Sequence, residues 1–314
     1  MNDCNNFTRR QVLGGLAGLG ATALLPASIA RAAGPDTRDR ILRTIPGTDE
    51  QIPVSGMGSA RTFNVDNPDD PETLEQLKKV LQAFYDGGGR VIDTSPMYGT
   101  AEIVLGRLMK ELELTDKFWI ATKVWTRGKQ DGIEQMERSL QRLGRDRLEL
   151  IQVHNLKDTQ THLETLRAWK DEGRIRYLGA THYREDHHDD LLDLIQREDL
   201  DFLQFNYNLN ERNAEQKLLP ACADRGVATL INEPYNKGAL FRQVGDRPLP
   251  DWASELGCQS WAQLFLKYLI GHPAVTAVIP ATSDPQHAAE NAAAGRGPVP
   301  DEAMRERIRK AAGS

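Results

Sequence analysis

The chain has 314 residues, of which 39% are hydrophobic and 27% are charged. That balance is ordinary for a soluble globular protein and is sufficient for a large core. A formal net charge of −6 argues against nucleic-acid binding, and the three cysteines form no CxxC pair of the kind found in zinc sites.

The first 32 residues have the features of an export signal. Adjacent arginines, Arg9 and Arg10, precede an apolar run at 12–25, and the small-residue triplet ARA follows at 30–32. This order is typical of a cleavable signal peptide, and the paired arginines favour the twin-arginine type. We therefore expect residues 1–32 to engage the twin-arginine export machinery. The protein would be periplasmic, without stable membrane insertion after cleavage; an uncleaved membrane anchor is the alternative.

Downstream, short apolar runs alternate with longer amphipathic stretches. Each run is bounded by turn residues and has the length of a buried strand. The eight runs are QIPVSGMG (51–58), RVIDTS (90–95), FWIATKV (118–124), LELIQVHN (148–155), IRYLGAT (175–181), DFLQFN (201–206), VATLIN (227–232) and AVTAVIP (274–280). The stretches between them have helical periodicity, as at 131–144, where the predicted helix ends at Gly144.

Eight strand–helix units without a dividing linker predict one domain over 33–314, a (β/α)8 TIM barrel of the α/β class. A Rossmann sheet would need GxGxxG directly after its first strand, whereas the glycine triplet at 87–89 precedes a strand. Strand-forming residues on both sides of a turn at 47–49 predict an N-terminal β-hairpin over 41–54 that closes the barrel floor. The last segment, 301–314, is expected to be an exposed helix.

Four side chains of complementary chemistry follow consecutive predicted strands. Asp93, Lys123 and His154 lie at the ends of the second, third and fourth runs, and Tyr98 follows Asp93 by five residues. In barrels of this kind the residues that carry out chemistry lie at the C-terminal ends of the strands. We therefore expect these four side chains to meet at one mouth of the barrel.

This set suits the reduction of a carbonyl group. A hydride that reaches the carbonyl carbon moves negative charge onto the oxygen, which then needs a proton donor. A tyrosine with a pKa near ~10 is a weak acid, but a neighbouring lysine stabilises its phenolate and a carboxylate keeps a buried lysine charged. Tyr98 is thus the predicted acid, Lys123 lowers its pKa, Asp93 keeps Lys123 protonated, and His154 orients the substrate oxygen.

Five segments resemble aldo/keto reductases in order and spacing, over nearly all of residues 41–293. They are VIDTSPMYGTAEIVLG (91–106), ATKVW (121–125), SLQRLGRDRLELIQVHN (139–155), FLQFNYN (202–208) and VIPATSDPQHAAEN (278–291). The resemblance implies an NAD(P)H-dependent oxidoreductase that reduces an aldehyde or ketone, or runs in reverse, and that is a monomer. It also implies that Asp93, Tyr98, Lys123 and His154 are catalytic.

The resemblance further implies a cofactor site. Gln204 would bond the nicotinamide carboxamide, Tyr207 would stack on its ring, and the loop around Lys237 would cover the pyrophosphate. Thr181 and His182 stand where the family often has serine and asparagine. The implied cofactor set is Thr181, His182, Gln204, Tyr207, Pro234, Lys237, Gly238, Thr282, His287, Glu290 and Asn291.

One departure from the family pattern affects the choice of cofactor. Many members place lysine and arginine around the adenosine 2′-phosphate, a task suited to arginine, whereas this chain has Ala281 and His287 there. Thr282 could still bind phosphate, and Glu290 and Asn291 fit adenine contacts. The resemblance favours NADP(H), and NAD(H) stays open.

Several other residues have a functional and a structural interpretation. Phe63, Met97 and Trp125 follow strand ends and are predicted to line an apolar substrate pocket, although each could equally pack in the core. The acidic, histidine-containing run at 186–190 is expected to be the solvated first turn of a helix and not a metal site. Cys222 and Cys258 could form a disulfide, but buried free thiols are favoured.

Two other classes of protein could share parts of this pattern. A regulatory or binding protein could keep the barrel and cofactor site without turnover, but it would not need a tuned acid. A barrel hydrolase would need a second carboxylate at a strand end, which this sequence lacks. The identity of the substrate is not specified by the residues.

Overall fold

The computed structural model describes residues 39–314, so the predicted signal peptide at 1–32 lies outside the described residues. Ten strands are present in this part of the chain. They are β1 (Leu42–Thr44), β2 (Gln51–Pro53), β3 (Gly56–Gly58), β4 (Val91–Asp93), β5 (Trp119–Val124), β6 (Leu148–His154), β7 (Ile175–His182), β8 (Phe202–Asn206), β9 (Ala228–Asn232) and β10 (Ala277–Val278).

Helices follow most of the strands. They are α1 (Pro71–Asp86), α2 (Ala101–Glu111), α3 (Lys129–Leu143), α4 (Thr159–Asp171), α5 (His188–Arg197), α6 (Leu218–Arg225), α7 (Ala239–Val244), α8 (Trp261–Ile270), α9 (Pro285–Ala293) and α10 (Glu302–Ala312). Short 3-10 turns precede α5, α6, α7 and α8. In the described part of the chain, no helix combines the length and apolarity needed to cross a membrane.

Strands β3 to β10 form one parallel sheet in which every strand pairs with its neighbours in sequence. The two edges meet, because the Val278 N–H donates to Val54 O (2.8 Å) and the Gly58 N–H donates to Pro280 O (2.9 Å). The predicted (β/α)8 barrel is thus confirmed, and its strand ends converge on one mouth.

The predicted N-terminal hairpin is also confirmed. Strands β1 and β2 pair antiparallel, with Thr44 opposite Gln51. Ile45 and Ile52 are buried in a cluster with Val91 and Trp119, which begin the barrel strands β4 and β5. Their apolar side chains therefore close the N-terminal end of the barrel, where they are removed from water.

Two predicted elements differ from the structure. The run at 51–58 is divided between the hairpin and the barrel, since Pro53 ends β2 and has no N–H with which to continue a ladder. The C-terminal helix α10 is not simply exposed: Arg305 and Ile308 are buried against the barrel. The helix predicted at 131–144 matches α3, which ends at Gly144 in the left-handed conformation (φ 66°).

Candidate functional site

Three neighbouring strands bring the predicted catalytic residues together. Asp93 ends β4, Lys123 is the last residue but one of β5, and His154 ends β6. Tyr98 lies in the loop before α2; its ring centroid is 5.7 Å from that of His154 and 5.1 Å from Lys123 Nζ. The four side chains therefore share one mouth of the barrel, as strand order and spacing predicted.

Lys123 and Asp93 form a buried ion pair with complete hydrogen bonding. Lys123 Nζ lies 2.8 and 2.7 Å from the two Asp93 oxygens and donates to Thr94 O at 2.8 Å. The two side chains are 1% and 5% exposed. Burial alone would lower the pKa of Lys123, but the charge and hydrogen bonds of Asp93 raise it above its ordinary value. The ammonium is therefore charged throughout the physiological range.

Two polar side chains extend this pair around the barrel. Gln204, on β8, donates from Nε2 to Asp93 Oδ1 at 2.8 Å. Its own carbonyl oxygen accepts a hydrogen bond from the Thr181 hydroxyl at 2.9 Å. Gln204 thus orients the Asp93 carboxylate, and the carboxamide contact predicted for it stays a prediction.

The pKa of Tyr98 differs from the sequence-based expectation. Burial raises it, the charge of Lys123 lowers it and the charge of Asp93 raises it, and the net direction is upward. Lys123 acts in the predicted direction, but burial outweighs it. The phenol is therefore protonated at neutral pH and available as a proton donor.

His154 is electrically neutral in this setting. Burial, followed by the nearby charge of Lys123, lowers its pKa from 6.5 to about 2. Nδ1 lies 3.1 Å from the Ser95 hydroxyl, whose oxygen also accepts the Met97 N–H at 3.2 Å. A neutral imidazole has one donor and one acceptor nitrogen, so His154 can donate one hydrogen bond into the mouth of the barrel.

The low pKa of His154 predicts a pH-dependent stability. Between pH 6.5 and 2 the unfolded state binds a proton at this residue and the folded state does not, so stability is lost as pH falls. When the pH is lowered from 7 to 5, this residue should lower the free energy of unfolding by about 2 kcal/mol. Urea unfolding of the wild type and of His154→Gln at pH 7 and pH 5 measures this loss. An equal loss in the two proteins would contradict the assignment.

A cavity of about 810 Å³ opens at this mouth. Nine of the site residues predicted from the sequence line this cavity: Asp93, Met97, Tyr98, His154, Thr181, Gln204, Pro234, Lys237 and Gly238. Lining residues that sequence reasoning missed include Arg61, Asn64, Asn155, Tyr183, Asn232, Glu233, Tyr235 and Phe241. Asn155 directly follows β6 and Asn232 ends β9, so the strand-end rule that identified His154 could have found both.

Tyr207 does not reach this cavity. It is fully buried, and its hydroxyl contacts Glu215 and accepts a hydrogen bond from Arg305 at 2.8 Å. Its ring lies beside that of Tyr268, on α8. This position contradicts the predicted stacking role, because the residue belongs to a network that fastens α10 to the barrel.

Two of the predicted pocket residues are also placed elsewhere. Phe63 is completely buried in the core, and Trp125 lies beneath Lys157, whose Nζ is 3.9 Å from the ring centroid. Neither lines the cavity. For Phe63 the packing interpretation is correct, whereas the contact described for Trp125 is with Lys157 and not with the core. Met97 does line it and is 45% exposed.

The remaining predicted cofactor residues lie outside the cavity wall. The ring of His182 lies against that of His187, and its Nδ1 accepts the Arg184 N–H. Thr282, His287 and Glu290 are at least partly exposed on α9 and its preceding loop. Asn291 accepts a hydrogen bond from the Tyr235 hydroxyl at 2.5 Å. Asn291 therefore contacts a residue of the cavity wall, Tyr235, but does not line the cavity itself.

The acidic run at 186–190 does not line the cavity and lies at the start of α5. Within it, His187 pairs with Asp190, whereas His188 contacts Asn206. Across residues 39–314, no three or more histidine, cysteine or acidic side chains are placed to hold a metal ion. Cys222 and Cys258 are buried free thiols, and burial raises their pKa values to about 12 and about 11.

The cavity suits the predicted nicotinamide cofactor. Two buried amide oxygens, Asn155 Oδ1 and Asn232 Oδ1, have no hydrogen-bond partner in the described residues, although both side chains belong to the cavity wall. Buried polar atoms are normally paired, and a carboxamide NH2 or a ribose hydroxyl would supply the missing donors. The volume also falls within the roughly 300–1,000 Å³ typical of ligand pockets.

Comparison with known proteins gives a consistent assignment. Residues 56–311 match the model of the aldo/keto reductase family. An NADH-specific methylglyoxal reductase of Escherichia coli is 29% identical over 49% of this chain and 54% of its own length. A glyoxal reductase of Bacillus subtilis is 28% identical over 77% of this chain and 83% of its own length. The match to the first of these relatives thus spans about half its length.

A solved structure is also similar. An aldo/keto reductase of Klebsiella pneumoniae, in complex with NADP and acetate, has a TM-score of 0.69 and 25% identity. The similarity covers 87% of this chain and 94% of that one.

Proposed function

Since the chain belongs to the aldo/keto reductase family, we propose that it is a nicotinamide-dependent oxidoreductase that reduces an aldehyde or ketone to an alcohol, or catalyses the reverse. The observation that carries this proposal is the convergence of Tyr98, His154 and the buried Lys123–Asp93 pair at one cavity. A binding protein without turnover would not require a buried, fully bonded lysine beside a protonated phenol.

The chain's residues have separate tasks in this reaction. When bound, the reduced nicotinamide supplies the hydride. With Ser95 donating to Nδ1, His154 carries its proton on Nε2 and donates it in a hydrogen bond to the substrate oxygen. Tyr98 transfers its hydroxyl proton to that oxygen, and the Lys123 ammonium stabilises the resulting phenolate. Asp93 keeps Lys123 charged and in place.

Asn155, Thr181, Asn232 and Gln204 would hold the nicotinamide end of the cofactor, since they line the cavity beside Asp93. The loop that carries Lys237 would lie over the phosphates. We infer that NADP(H) is preferred, supported by the Klebsiella structure. The NADH-specific relative and the absence of Lys or Arg at 281 and 287 keep NAD(H) as the alternative.

Titrating the purified full chain with NADPH and NADH tests the choice of cofactor. It should be followed by a panel of small aldehydes and ketones that includes methylglyoxal and glyoxal, because relatives are named for these substrates. We expect saturable binding, tighter for NADPH, and oxidation of the cofactor with at least one carbonyl. Saturable binding of the cofactor without its oxidation by any carbonyl in the panel would favour the binding-protein alternative.

The resemblance also implies a monomer. Elution as a dimer in size-exclusion chromatography would refute this prediction.

We also propose that residues 1–32 direct export by the twin-arginine route, which carries folded proteins. The protein could then cross the membrane with its cofactor bound. Fractionation of cells that produce the wild type or the double change of Arg9 and Arg10 to Lys tests this. We expect periplasmic, nucleotide-containing protein only for the wild type. Equal distribution of the two proteins would refute the route, and consistently empty exported protein would refute co-transport.

A further inference from the structure

An acidic side chain forms an ion pair with Lys237, one of the cations on the wall of the cavity. Glu233 and Lys237 lie in the loop between β9 and α7, and both line the cavity. Lys237 Nζ is 3.1 Å from Glu233 Oε1, with the side chains 51% and 19% exposed. The same Nζ lies 5.7 Å from the ring centroid of Tyr183, which lines the cavity from the β7 side. The Glu233–Lys237 pair therefore lies between the loop after β9 and the loop after β7, at the mouth of the barrel.

The backbone holds the carboxylate in this place. Glu233, Asn236 and Lys237 have φ values of 50°, 47° and 51°, a left-handed conformation that asparagine tolerates but that is unfavourable for glutamate and lysine. Glu233 O accepts hydrogen bonds from Asn236 N at 2.9 Å and from Asn208 Nδ2 at 3.2 Å. A loop held in this way positions Glu233 on the wall of the cavity and does not leave it free in solvent.

We propose that Glu233 competes with the cofactor's phosphates for Lys237, so that binding of a dinucleotide requires the carboxylate to release the lysine or to take up a proton. The inference rests on the proposed function, because it assumes that the anionic part of the cofactor lies beneath this loop. It assigns Glu233 to the control of affinity and not to the reaction at the carbonyl.

The charges around Glu233 give the sign of the effect. Burial raises its pKa, Lys237 lowers it, Glu211 raises it and Arg61 lowers it, with a net upward direction. A phosphate brought beside it would raise the pKa further, since like charges disfavour ionisation. The bound state then holds its proton more strongly than the free state. By linkage, the affinity for the dinucleotide should therefore increase as the pH falls towards the pKa of Glu233.

The test is a binding titration of the full-length wild type, Glu233→Gln, Lys237→Met and the double variant at pH 8 and pH 5.5. NAD⁺ is the main probe because its pyrophosphate does not titrate in this range, whereas a phosphate monoester such as that of NADP⁺ has a second pKa near ~6. Glu75→Gln on α1 is the matched control, because Glu75 also pairs with a lysine, Lys79, at 3.8 Å but does not line the cavity.

We expect Glu233→Gln to bind NAD⁺ roughly tenfold more tightly at pH 8, equivalent to about 1.4 kcal/mol, and to lose most of the pH dependence of the wild type. Lys237→Met should weaken binding and, in the double variant, remove most of the gain. Glu75→Gln should match the wild type. Glu233→Ala gives a second comparison if thermal melting shows that Glu233→Gln is poorly folded.

The outcomes separate this inference from the proposed function. If the wild type binds saturably and the Glu233 variants have the same affinity and pH dependence, the competition is refuted and the dinucleotide site stands. If no protein in the series binds NAD⁺, NADP⁺ or their reduced forms, the proposed function is refuted, and the competition with it.

Discussion

Replacing Tyr98 by Phe is expected to lower kcat by roughly 10²–10⁴ while nucleotide affinity stays within about twofold of the wild type. The change removes the hydroxyl that is proposed to transfer its proton to the substrate oxygen but keeps the ring that lies against His154 and Lys123. Single-turnover oxidation of bound NADPH by a responsive carbonyl, with a parallel nucleotide titration, measures both quantities.

Tyr85→Phe is the matched control. Tyr85 lies on α1, against Phe118 and Arg90 and outside the cavity, so its hydroxyl should not affect turnover. If Tyr98→Phe turned over at the wild-type rate, Tyr98 would not be the acid and the mechanism would be wrong. If both wild type and variant bound nucleotide but neither turned over any carbonyl, the binding-protein alternative would be supported.

Replacing Lys123 by Met should abolish turnover and lower the free energy of unfolding by about 3–5 kcal/mol. The change removes the ammonium that pairs with the buried Asp93 carboxylate. Of the hydrogen bonds to Asp93 described above, only that from Gln204 remains. Adding Asp93→Asn removes the uncompensated charge, so the double variant should be more stable than Lys123→Met alone while remaining inactive. Urea denaturation of the wild type, both single variants and the double variant gives the coupling energy.

The exposed pair of Glu75 and Lys79 provides the control for this cycle. Both side chains are more than half exposed, so the corresponding changes to Gln and Met should cost less than about 1 kcal/mol. Additive effects of the Lys123 and Asp93 substitutions would contradict a buried, charged pair. Restored activity in the double variant would show that the Lys123 charge is not needed for proton transfer.

Much of the fold could be predicted from local patterns. Each of the eight apolar runs ends within about two residues of the end of a barrel strand, and Gly144 ends α3 as its position predicted. The strands could be located because each lies between the barrel interior and a helix, so burial on both faces imposes a short, nearly continuous apolar run. The hydrophobic pattern did not show that the run at 51–58 is divided at Pro53 into β2 and β3.

The candidate site was predictable where it depends on strand ends. Asp93, Lys123 and His154 occupy adjacent parallel strands, and the closure of a barrel brings such positions to one mouth. Their catalytic roles stay predictions until the variants above are measured. The resemblance placed Tyr207 and His182 in the cofactor site as well, but the described contacts of these two residues are elsewhere.

The sequence by itself was sufficient to predict the barrel, the hairpin at its floor, and the phenol, ammonium, carboxylate and imidazole that meet at its mouth. Only the tertiary structure decided which loop residues face the cavity. That choice depends on backbone dihedrals and distant packing, as in the left-handed Glu233 and Lys237 or the burial of Tyr207 against Arg305 from α10. The tertiary structure also decided the pKa of Tyr98, which burial raises by more than the charge of Lys123 lowers it. Desolvation depends on every atom around a group and not on its neighbours in sequence.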